Sequence, residues 1–236
     1  MHKNPILIFT FILLFSFCSD KNSAEQNDIS KPKVSELDTF YGGNNLLFVS
    51  DTNISCFNNY YKIKVDTSES NCIKTQSALV KRHGDTLLLK LEGKNKALVN
   101  DSKIESDSYT EYHFITKLTD INYYLLKVYF YEAFSYLLVN ATNGKESYIC
   151  GYPAISPDKT KLIAGCFDLQ AGFVFNGLQM YAITQDSLQL NWSRELSKWG
   201  SDNVAWIDNN TIVAEQIEID SVMNTKTSYI KLTPSK

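Results

Sequence analysis

The chain has 236 residues, 23 basic and 26 acidic, for a formal net charge of −3 at neutral pH, and 44% of it is hydrophobic. A weakly acidic chain without a basic stripe is a poor match for nucleic acid, which needs clustered Lys and Arg. The apolar content argues against intrinsic disorder, and the length is enough for one substantial core or two small ones.

The first element is short and greasy. His2 and Lys3 precede Ile6 to Phe17, a run interrupted only by Thr10 and Ser16. A bilayer-spanning helix needs about 20 apolar residues, so this run reads as a secretory signal and not as an anchor helix. A buried N-terminal helix of the domain is the other reading, but the polar stretch that follows offers it nothing to pack against. Leu14-Phe15-Ser16-Phe17-Cys18 resembles the lipobox of bacterial lipoproteins, with Phe17 where that family has a small residue. The Cys-Ser-Asp-Lys at 18–21 is similar to lipoproteins of Bacteroidetes-type bacteria.

The resemblance implies that residues 1–17 are removed, that Cys18 becomes the first residue of the mature chain, and that it carries fatty acyl groups such as palmitate. The bilayer is then a partner through lipid on Cys18, and the protein faces the periplasm or the cell surface. Each buried methylene contributes about 0.8 kcal/mol, and two chains anchor where one holds only marginally. The alternative is an ordinary cleaved signal whose cysteine is discarded or left free. Residues 18–38 read as the lipidated cysteine and a flexible tether, too poor in apolar residues to fold alone. Without residues 1–17 the charge balance is 22 basic to 26 acidic, net −4.

Residues 39–236 read as a single all-β domain. Leu46 to Ser50 and Tyr60 to Asp66 are short apolar or alternating runs, and residues 77–101 read as three strands turning at 83–85 and 93–95. Residues 121–150 are the clearest strand region, with a last hairpin turning at Asn143-Gly144. Tyr, Phe, Val, Ile and Thr dominate, and no segment keeps helical spacing over three turns; Leu188 to Trp199 is open between strand and a short helix. Ser156-Pro157-Asp158-Lys159 reads as a turn feeding a strand at Leu162 to Cys166, because Pro fixes φ and Asp bonds the backbone beyond it.

That turn, with the runs at 177–183, 188–192 and 204–216, resembles blades of periplasmic and WD-repeat-like β-propellers over residues 123–232. Lys159 stands where those blades have Gly. The resemblance implies an irregular or incomplete β-propeller-like array of antiparallel hairpins. At roughly 40 to 45 residues per blade, four or five fit.

Subtracting Cys18 leaves four cysteines. Cys56 with Cys72, and Cys150 with Cys166, have the same spacing, and outside the cytosol an even remainder suggests disulfides. Three pairings are open, the two local ones are favoured, and buried free thiols are the alternative. No CxxC spacing points to zinc.

Trp192, Trp199 and Trp206 recur every seven residues, as an aromatic platform or as packing. The loop from Cys166 is long, aromatic and glycine-bearing, and such loops on rigid scaffolds carry recognition. Asp168, Phe173, Phe175 and Asn176, with Trp199, are the candidate partner-binding residues; the other reading folds the loop over the sheet end as a plug. His83 and His113 lack ligand-spaced neighbours, so no metal and no cofactor is expected. Asp202 with Asp208, and Glu132 with Glu146, are acid pairs without a catalytic motif around them. Asp85-Thr86-Leu87, Asp186-Ser187-Leu188 and Asp220-Ser221-Val222 resemble O-glycan acceptors of Bacteroidetes-type bacteria. The expectation is a non-catalytic module binding an envelope protein, peptide or glycan, with a lipid-anchored hydrolase as the alternative.

Overall fold

The computed structural model describes residues 39–42, 45–61, 68–102 and 108–234. Residues 1–38, with the expected signal, Cys18 and tether, lie outside the described residues, as does most of the strand expected over Tyr60 to Asp66. The described chain is all-β apart from two short helices.

In chain order, β1 (Thr39–Gly42) and β2 (Asn45–Thr52) form a hairpin, and α1 (Ile54–Tyr60) and α2 (Glu69–Thr75) follow. Then come β3 (Val80–His83), β4 (Thr86–Lys90) and β5 (Asn95–Val99), a three-stranded antiparallel sheet. The next sheet is β6 (Thr110–Leu118), β7 (Tyr123–Phe130), β8 (Ala133–Asn140) and β9 (Glu146–Ile149). The third is β10 (Ala154–Ile155), β11 (Lys161–Cys166), β12 (Gly177–Ile183) and β13 (Leu188–Glu195). Last are β14 (Trp199–Gly200), β15 (Val204–Trp206), β16 (Ile212–Ile219) and β17 (Thr225–Pro234). These join β1 and β2 in a terminal sheet, because β2 pairs antiparallel with β17 from Thr52↔Tyr229 to Leu47↔Pro234.

The sheets stack in chain order, and strand alternation decides which side chain serves which junction. On β7, Tyr124, Leu126 and Val128 join Leu87, Leu89 and Leu98 in the core shared with the three-stranded sheet. Tyr123 and Leu125 point the other way and pack with Leu162, Ala164 and Tyr181 of the third sheet. The third sheet is likewise used on both faces, since Ile163, Leu178 and Met180 share a core with Trp199, Val204, Ile212 and Ile230 of the terminal sheet. Burial on both faces explains why β7 opens with four consecutive apolar residues where a one-sided strand would alternate.

Both helices escaped the sequence reading because each buries a single side chain, Phe57 in α1 and Cys72 in α2, and so leaves no apolar stripe. α1 is nevertheless capped, the Asn53 side chain accepting from the Cys56 N–H at 2.8 Å. Of the region open at 188–199, Leu188–Glu195 is strand, residues 196–198 form a connection, and Trp199 begins the next strand. The hairpin expected to turn on Asn143-Gly144 uses a longer connection, residues 141–145: only Gly144 takes positive φ (79°), and the Asn140 carbonyl side chain accepts from the Thr142 and Asn143 N–H groups.

The turn at 156–159 forms as its residues dictate. Asp158 Oδ1 accepts from Ser156 Oγ (2.6 Å), Thr160 Oγ1 (2.8 Å) and the Thr160 N–H (3.1 Å). Lys159 sits at φ 62°, the conformation that explains the glycine of the resembling turns.

Candidate functional site

Two aromatic-lined depressions stand out, and the loop singled out in the sequence borders the first. In that loop the expected recognition residues divide sharply. The Asp168 carboxylate accepts from the Val174 N–H (2.7 Å) and the Ala171 N–H (3.2 Å), so it shapes the loop's own backbone. Asn176 is buried; its side chain accepts from the Asp168 N–H (2.9 Å) and donates to the carbonyls of Leu196 and Trp199. Trp199 is fully buried in the core between the third and terminal sheets. These three are therefore architecture. Phe173 is 63% exposed, and Phe175 is half-buried at the rim of the depression.

That first depression, of about 330 Å³, lies where the β6–β9 sheet meets the third sheet, and its lining includes Phe130, Phe134, Tyr148, Val174, Phe175 and Gln179. The Phe130 and Tyr148 rings lie 6.2 Å apart. Tyr131, Phe134, Tyr148 and Phe173 are all exposed large aromatics. Lys127 sits with its ammonium 4.4 Å from the Phe134 ring and 4.9 Å from the Tyr129 ring, a cation–π arrangement that holds both at the surface. Tyr131 and Glu132 form the tight β7–β8 turn, Glu132 at φ 61°. Phe134 and Tyr148 give no signal in the sequence, because they belong to regular strands of a sheet that is buried on both faces and are exposed only near its end.

The second depression, of about 460 Å³, lies between β10 and β15 beside the end of α1. Tyr60, Tyr61, Tyr152 and Trp206 line it, with Pro153 and Pro157. Tyr61 stacks on Phe57 with ring centroids 4.9 Å apart, and its hydroxyl donates to Asn203 Oδ1 at 2.6 Å. Asn203 in turn donates to Glu215 Oε2 at 2.6 Å. The Trp206 indole N–H donates to the Ala154 carbonyl at 3.0 Å, which fixes the ring across the sheet junction. Burial, and then the negative charges of Glu215 and Asp202, push the Tyr61 hydroxyl above its ordinary pKa.

The acid pairs do not meet. Asp202 accepts from the Phe167 N–H, Asp208 closes its own turn on the Asn210 and Thr211 N–H groups, and Glu146 pairs with Lys96 at 2.7 Å. His83 is exposed on β3. His113 lies 3.5 Å from Glu111 on β6 and edge-on to Tyr129; neither residue lines the two depressions. Among the described residues no group of three or more His, Cys, Asp and Glu is placed to hold a metal ion.

Among the described residues, Cys56, Cys72, Cys150 and Cys166 stand as unbridged thiols. Cys56 packs with the terminal sheet through α1, whereas Cys72 belongs to the core between the first two sheets. Cys150 donates to the Ala164 carbonyl at 3.6 Å, and burial pushes its thiol and that of Cys166 up, the latter to about 12. Of the three glycan-acceptor-like sites, Ser187 is buried against Thr184, while Ser221 is exposed at the β16–β17 turn.

No family model, curated protein or solved structure matches the chain.

Proposed function

We propose that the chain is a lipoprotein of the cell envelope, tethered to a membrane by acyl chains on Cys18, whose body is a non-catalytic binding module. The observation that carries this reading is the first depression, lined by the exposed Phe134 and Tyr148 together with Phe130 and Phe175, next to the loop that exposes Phe173. Exposed large apolar side chains grouped on a rigid β-scaffold mark an interaction site, and aromatic rings offer broad contact at low entropic cost. The body is an irregular β-propeller-like array. Support for this comes from antiparallel sheets stacking successively face to face, and from β2 entering the same sheet as β17, which brings both ends of the described chain together.

The partner is an envelope peptide or glycan. Phe173→Ser and Phe134→Ser remove apolar contact without touching the buried cores. Screened against immobilised envelope peptides and glycans, the full chain should retain a ligand that both variants lose by about tenfold or more, consistent with losing a buried aromatic anchor. Equal retention by all three would overturn the assignment of the surface. For the anchor, Cys18→Ser should move the chain from the membrane to the soluble fraction, and the wild-type N-terminus should carry acyl mass.

A further inference from the structure

The second depression has a chemical character of its own. Four aromatic residues line it: Tyr60, Tyr61, Tyr152 and Trp206. Of the hydrogen-bonding atoms that these rings bring, the Tyr61 hydroxyl is given to Asn203 and the Trp206 N–H to Ala154. The cleft thus combines aromatic rings with a carboxylate behind them. The Glu215 carboxylate stands one residue behind Tyr61 through Asn203, and no Lys or Arg is among the described lining residues. The Tyr61 hydroxyl registers that charge, being raised by Glu215 and Asp202 beyond what burial does.

We propose that this cleft binds a small organic cation with a quaternary or alkylated ammonium head. Aromatic rings attract such a head through their quadrupole, the more strongly the more the contact is desolvated. The volume, about 460 Å³, is within the range of small-molecule pockets. Strongly hydrated inorganic cations are disfavoured, because no carboxylate is among the described lining residues. The site is separate from the aromatic surface above, so either assignment can fail while the other stands.

The discriminating pair of probes is choline and its uncharged isostere 3,3-dimethylbutan-1-ol, titrated calorimetrically into the full chain. Choline should bind about tenfold more tightly than the isostere, the ratio that a desolvated cation–π contact supplies. Tyr60→Leu keeps apolar volume and removes a π-face. Tyr60 is 41% exposed, so the fold should tolerate the change, checked by circular dichroism. It should weaken choline about threefold to fivefold and leave the isostere unaffected. Glu215→Gln should weaken choline alone, and added salt should weaken it further. Equal affinity for the two probes would make the cleft merely apolar and overturn the proposal. So would absence of choline binding by a folded chain, or an unchanged choline affinity in Tyr60→Leu.

Discussion

The two outer junctions of the stack are built in opposite ways. Between the third sheet and the terminal sheet, backbone meets backbone. A Cβ added at Gly165 would lie 2.3 Å from the Ser201 carbonyl oxygen, and one at Gly200 would lie 2.2 Å from Asn176 Oδ1. Short polar turns finish the seam: Asn209, in the β15–β16 connection, accepts from the Asp158 N–H with its side chain and from Lys161 Nζ with its carbonyl. Between the three-stranded sheet and the β6–β9 sheet, by contrast, an ion pair between β3 and α2 makes the link. Arg82 of β3 donates from Nη2 (2.6 Å) and Nε (3.2 Å) to the two oxygens of Glu69, and from Nη2 to the Tyr112 carbonyl. Glu69 also accepts from the Phe114 N–H at 2.8 Å. One junction depends on the absence of a side chain and the other on two mostly buried ions. They should fail differently.

The largest effect is expected at the backbone seam. Gly165→Ala forces the Ser201 carbonyl to move, because no flexible side chain can yield there, and should cost about 3 kcal/mol in urea unfolding. A cost below about 1 kcal/mol would mean the seam is looser than described. Next is Glu69→Ala, which strands Arg82 in a site that is four-fifths buried and removes an acceptor from β6. It should cost about 2–3 kcal/mol. A double variant with Arg82→Met should recover much of that loss, which separates the stranded charge from lost packing.

A smaller effect of opposite sign is expected at Lys159. Its φ of 62° strains any residue with a Cβ, and its ion pair with Asp120 is exposed and contributes little. Lys159→Gly should therefore stabilise by about 1 kcal/mol, a rise of about 2–4 °C in Tm. The smallest effect is in acid. Hydrogen bonds to the carboxylates of Asp158, Asp208 and Asp220, from the Ser156 hydroxyl for Asp158 and from backbone N–H groups for the other two, hold all three below their ordinary pKa. A lowered native pKa contributes stability above the unfolded value, near 3.9 for Asp, that is lost as pH falls through the native value. The triple Asp→Asn variant keeps an acceptor oxygen at each turn without a titration. Its Tm should fall less than that of the wild type between about pH 4 and pH 2.

These junctions also show what can be read from the residues alone. Asp158 and Pro157 act within a few positions of themselves, so the turn they make is visible in the letters. The strands around Tyr123 to Phe130 are visible for the same reason, since burial on both faces demands continuous apolar character. The Arg82–Glu69 pair is not, because nothing local ties a lysine- and arginine-bearing strand to an acidic residue 13 positions earlier. The helices were hidden by their small buried share, and the cleft was hidden because Tyr60-Tyr61, Tyr152-Pro153 and Trp206 are distant in sequence and meet only through the stack. The loop at 166–176 was recognised as exceptional, but Asp168 and Asn176 turned out to build it, and its outward display falls to Phe173 and Phe175.

The pairing of β2 with β17 also sets a timetable. The terminal sheet lacks a full complement of hydrogen bonds until β17 has emerged, and bringing such distant strands together is an entropically slow step. A chain in which β17 has not yet paired displays β2 as one open flank that an extended peptide could zip onto, another copy of itself included. The pairing of β2 with its distant mate is what covers that flank.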